Sequence, residues 1–139
     1  MLSEKLTHTN KMELYMFNQI LFYLGGVITL VWGIAHLFPT KSVVKGFGEI
    51  NIDNKHIITM EWIIEGIALI FIGVIVIGVT IVDHIAKVST FIYLASVIVL
   101  LLLAVISLFT GFKVNFLPFK LCPFLFSFSA ILVLLGCVL

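Results

Sequence analysis

Four stretches of this chain are each apolar over enough length to cross a bilayer, and no other feature limits its fold as strongly. A helix of about 20 apolar residues spans the hydrocarbon layer, and windows at 16–38, 57–82, 88–112 and 119–139 meet that length. Hydrocarbon offers no hydrogen-bond partner to the backbone, so each window must close its own bonds as a helix. The expected fold class is all-α, an integral membrane bundle of four transmembrane helices in up-down-up-down order. A soluble domain of 139 residues, 62% hydrophobic and 11% charged, could not bury so much apolar surface. One domain over 1–139 is expected, with a polar N-terminal segment at 1–15 and a long first loop at 39–56.

The first window follows Lys5 and Lys11 but is too long for a signal-peptide core and lacks a small-x-small cleavage site. It reads as a retained helix. Pro39 ends it, and the Gly46-Phe47-Gly48 triplet permits a tight bend in the first loop. The other connections are short, with Pro118 and Pro123 marking the start of the last helix. The expected setting is multi-pass in a cytoplasmic membrane, with both termini on one side. That side carries Lys5, Lys11 and Lys87, and the opposite side carries Lys41, Lys45, Lys55, Lys113 and Lys120. The positive-inside rule then places the first loop in the cytoplasm and the termini outside.

Charge and cysteine content exclude several classes. The net charge is +1, without an acidic or basic block, so no nucleic-acid partner is expected. All eight basic residues are lysine, which does not favour bidentate phosphate or carboxylate recognition. Cys122 and Cys137 lie 15 residues apart in one predicted helix. That separation is roughly 22 Å, so they cannot bridge. No CxxC pair, zinc spacing, nucleophile elbow or phosphate-cradling glycine loop is present.

The polar residues inside the spans carry the functional question. In "TMEWIIEG", Glu61 and Glu65 stand four residues apart at the head of a long apolar run. Carboxylates in membrane helices face a bundle interior or water, paired, and mark functional sites by default. Along the first helix Gly25, Thr29, Trp32 and His36 follow one-face spacing, and Glu61, Glu65, Ala68 and Ile72 do so on the second. Aligning these antiparallel stripes from their shared loop pairs His36 with Glu61 and Trp32 with Glu65, with Thr29 and Gly25 against Ala68 below. His56 stands at the entrance, and Lys113, Asn115 and Lys120 share that end. Asp83 and His84 read as a solvated turn at the other end, and Gly66, Gly73 and Gly78 as packing positions.

Three readings account for the cluster, and a fourth, a proton or ion path, lacks an acidic or His relay in the third and fourth helices. His36, Glu61, Glu65, Trp32 and Thr29 can clamp the helices of a non-catalytic membrane subunit or interaction protein. They can instead bind, or act on, a lipophilic small molecule such as a quinone or a lipid, sharing a proton at its polar end. As a third reading, His36, His56, Glu61 and Glu65 can form a metal shell. Whether the protein is an enzyme stays open. Expected partners are the lipid bilayer, a lipophilic small molecule, and a membrane protein or a second copy of this chain.

At "WGIAHLFPT", followed by a polar loop and "MEWIIEG", the chain resembles the small four-helix membrane proteins of the DoxX-like group. The likeness covers roughly residues 18–80 and rests on the helix-loop-helix layout with a His near the end of the first helix. It implies a bacterial cytoplasmic-membrane protein. Several members of that group accompany oxidoreductase or thiol-redox systems, but this chain lacks a redox cysteine pair.

Overall fold

The computed structural model describes residues 2–139, with side chains from Lys11 onward. Five helices follow in order: α1 Leu2–Leu37, α2 Thr40–Gly46, α3 Ile52–Asp83, α4 Lys87–Gly111 and α5 Leu117–Val138. No strand occurs among the described residues. Four segments are long and apolar enough to cross a membrane: Lys11–Leu37, Ile52–Asp83, Lys87–Gly111 and Leu117–Val138. The four expected windows lie almost wholly within them. Large apolar side chains such as Phe71, Ile81, Phe91 and Phe109 cover the outside, where lipid takes the place that water has in a soluble bundle.

The N-terminal segment and the first loop differ from the sequence reading. α1 runs without a break through the polar stretch, so Lys11–Tyr15 extend the helix. Methionine 1 and the side chains of 2–10 lie outside the described residues. The long first loop is half helical: α2 occupies its middle and seats Val43 and Val44 in the bundle. Asn51 then caps α3, its side-chain oxygen accepting from the Asn54 N–H at 2.7 Å. Gly48, at φ +74°, makes the bend between them. Pro118 starts α5 as expected, whereas Pro123 lies inside that helix.

α1 packs against α3 on one side and α5 on the other, and α4 packs closely on α5. The α1–α3 seam is held together by glycines. A Cβ built on Gly33 would stand 2.7 Å from the Ile70 nitrogen and 3.0 Å from the Gly66 oxygen. One on Gly73 would stand 2.7 Å from the Gly26 oxygen, so Gly26 and Gly33 of α1 interlock with Gly73 and Gly66 of α3. Small residues of this kind let two backbones approach where hydrocarbon supplies no net hydrophobic drive. Gly25 faces the other way, onto Val133 and Ser129 of α5. A Cβ built on Gly78 would meet nothing within 4 Å, so no close helix approach depends on that glycine.

The inward face of α3 is accordingly Trp62, Gly66, Leu69, Ile72, Gly73, Val76 and Thr80. The stripe expected from the sequence, Glu61-Glu65-Ala68-Ile72, starts one residue earlier: Glu61 and Ala68 are exposed and Glu65 half-buried, while Ile72 reaches the core. The fourth edge, between α3 and α4, is the thinnest contact of the bundle. Near the turn that joins them the two helices are tied: the Tyr93 and Thr80 hydroxyls are 2.8 Å apart, and Ser89 donates to the Asp83 carbonyl. Tyr93 also stacks on Phe22 of α1, with centroids 3.8 Å apart. Toward the other end the edge opens into a cleft.

Candidate functional site

The site begins where α1 stops. The last carbonyls of a helix have no partner within it, and inside a membrane each such group costs several kcal/mol, about the value for a lost hydrogen bond in apolar surroundings. Here two side chains satisfy them. Thr40 Oγ1 donates to the Leu37 carbonyl at 2.6 Å, and Trp62 Nε1 donates to the His36 carbonyl at 2.7 Å. Trp62 belongs to α3, so the second bond ties the two helices across the seam. Its indole also stacks on the His36 imidazole, centroids 3.8 Å apart and planes within 16°. Phe119 of α5 closes the other side edge-on at 5.2 Å.

These contacts fix the His36 ring, which is 5% exposed. Its Nε2 lies 3.5 Å from Glu65 Oε2 but has no hydrogen-bond partner. Glu65 is half-buried, its side chain 35% exposed. The expected ladder is therefore shifted by one turn. His36 meets Glu65, and Glu61 points outward on the exposed side of α3. Trp32 does not meet Glu65. It is half-buried beside Cys122, and its indole N–H has no partner of hydrogen-bonding geometry. Thr29 is buried and donates to the Gly25 carbonyl of its own helix at 2.9 Å, which leaves it outside the cluster. The tryptophan that joins the two helices is Trp62, which the sequence reading passed over. Its signal was a place four residues before Gly66 on the glycine face of α3.

A cavity of about 180 Å³ adjoins the pair, lined by His36, Glu65, Leu103, Ser107, Thr110 and Cys122. A second, of about 450 Å³, lies outside it and includes Val43, Phe47, Glu61, Trp62 and Ala68 in its walls. Glu65, Leu103 and Phe119 border both. Together they form the cleft between α3 and α4, running from the outer, lipid-facing surface to the imidazole. Lys113, Asn115 and Lys120 line neither part. Among the described residues no three His, Cys, Asp or Glu side chains gather as metal ligands. His56 and Glu61, the other half of the expected metal shell, are exposed on α3 and do not converge on His36 and Glu65.

At the opposite end His84 is not a solvated turn residue. It is half-buried, with Gln19 Nε2 at 2.9 Å from its Nδ1 and the Tyr15 ring edge-on at 6.3 Å. Cys122 and Cys137 are both free thiols, as their spacing required.

Compared with known proteins, the chain matches no family model, no curated protein and no solved structure.

Proposed function

We propose that this membrane protein binds a lipophilic small molecule with a hydrogen-bonding head, a quinone or a lipid, admitted sideways from the bilayer between α3 and α4. One observation carries the reading. His36 Nε2, a buried nitrogen without a hydrogen-bond partner, borders a cleft that reaches the lipid side. A buried polar group without a partner costs about 1–3 kcal/mol, which a ligand oxygen accepting from it would recover. Glu65 adds a carboxyl group able to accept from, or donate to, the same head, and the apolar outer cleft fits a hydrocarbon tail.

The alternative, a non-catalytic membrane subunit or a self-associating chain, draws its support from the Trp62–His36 clamp. That clamp needs neither the cleft nor the unpartnered nitrogen. The DoxX-like resemblance and the lysine count add a bacterial cytoplasmic membrane, with external termini, to either reading. The test is thermal stabilisation of the purified protein in detergent by decylubiquinone and by a total lipid extract. A shift in the parent that is lost in Glu65→Gln and His36→Ala is expected. If neither addition shifts the parent, the ligand reading falls and the subunit reading stands.

A further inference from the structure

We infer that the first-loop end of the bundle holds a separate site for the phosphate of an anionic phospholipid, built by Lys41, Lys45 and Lys55. It does not depend on the ligand reading of the α3–α4 cleft. Lys41 and Lys45 are one turn apart on α2 and so share a face. Val43 and Val44, buried, hold that short helix on the bundle with its lysines outward. Lys55 comes from the first turn of α3. The three line one cavity of about 650 Å³, together with Thr40, Thr59 and Glu49. Gly48, in the left-handed region, turns the chain so that Glu49 and Ile50 complete the wall.

Three ammonium groups against one carboxylate leave the bowl with a charge of +2. The sole ion pair among the described residues is His36–Glu65, so no described carboxylate stands within ion-pair distance of any of the three. Lysine presents a compact point charge suited to a single phosphate. Two features select a lipid over a soluble anion. The bowl is built from the stretch that joins two segments long enough to span a membrane and from the first turns of the second, which is where a bilayer holding both segments would put its headgroups. Val44 and Ile50 also give its wall an apolar part that a glycerol backbone can cover. Lysines at the membrane surface each strengthen anionic-lipid binding by a factor of about five.

The test extracts the full chain from vesicles of equal parts phosphatidylglycerol and phosphatidylcholine and counts retained lipids by native mass spectrometry. The parent should keep phosphatidylglycerol in preference. Lys41→Gln/Lys45→Gln should lose that preference by roughly twenty-five-fold. Lys113→Gln/Lys120→Gln, with the same charge change at the same end, should keep it, and Lys41→Arg/Lys45→Arg should keep most of it. An equal loss in both glutamine pairs, or no preference in the parent, overturns the site. Inorganic phosphate is added in a parallel arm. If it displaces phosphatidylglycerol at millimolar concentration, the ligand is a soluble phosphate and the lipid assignment fails. Should the double variant not fold, Lys45→Gln alone carries the comparison, with a loss of about five-fold expected and no loss refuting the site.

Discussion

Replacing each tryptophan in turn by phenylalanine isolates the bond that fastens α1 to α3. Trp62→Phe keeps an aromatic ring over His36 but removes the 2.7 Å bond to the His36 carbonyl. That carbonyl lies at the end of α1 and is left orphaned in an apolar setting. An unsatisfied buried acceptor costs about 1–3 kcal/mol, and the smaller ring also gives up some contact with Phe119. A loss of about 2 kcal/mol, roughly thirty-fold in the folded-to-unfolded ratio, is expected. Trp32→Phe breaks no hydrogen bond, because its indole N–H has none. Removing that N–H returns about 1–3 kcal/mol, and the void left by the smaller ring offsets it, for a net change within about 1 kcal/mol. The assay is SDS unfolding in mixed micelles followed by circular dichroism, with and without decylubiquinone. Without ligand only Trp62→Phe should lose stability, and with ligand Trp32→Phe, whose side chain lines neither part of the cleft, should gain it as the parent does. Equal shifts in the two variants, or an unchanged Trp62→Phe, would refute the capping argument.

Gly33→Ala should cost about 1–3 kcal/mol, because the added carbon meets the backbone of α3, while Gly78→Ala should cost nothing in the same unfolding assay. Glu65→Gln should change stability by less than about 1 kcal/mol, since the carboxyl is half-buried and not hydrogen-bonded to His36, yet lower the decylubiquinone shift. Tyr93→Phe keeps the stack on Phe22 and loses the bond to Thr80, for an expected cost of about 1 kcal/mol. Alkylation of the denatured chain without reductant, read by mass spectrometry, should label both Cys122 and Cys137.

The membrane spans were legible because hydropathy over about 20 residues is a direct record of the bilayer. The register between α1 and α3 was not. In hydrocarbon, apolar residues on the lipid and protein sides look alike, so periodicity does not reveal which face of α3 turns inward. Polar residues were the remaining cue, and they selected the Glu61–Glu65 stripe, about 100° from the glycine face. Had the seven-residue spacing in both Gly26–Gly33 and Gly66–Gly73 been used to dock the helices, Trp62 would have come under His36. His36 and Glu65 were each expected in the polar cluster, but opposite Glu61 and Trp32, and their approach to one another was not anticipated. α2 escaped notice because seven residues with two inward valines leave too little pattern against the flanking lysines and glycines.

The glycine seam and the thin α3–α4 edge together divide the bundle into two halves, each a pair of neighbouring spans: α1 with α3, and α4 with α5. The only covalent tie between them is the three-residue turn from His84 to Ala86, at the edge where packing is weakest. What rejoins the halves is the opposite edge, α1 on α5, where Gly25 admits Val133. The chain thus has the build of two hairpins that can be inserted one after the other and then clasped. Severed at that turn and expressed as two polypeptides, it should reassemble.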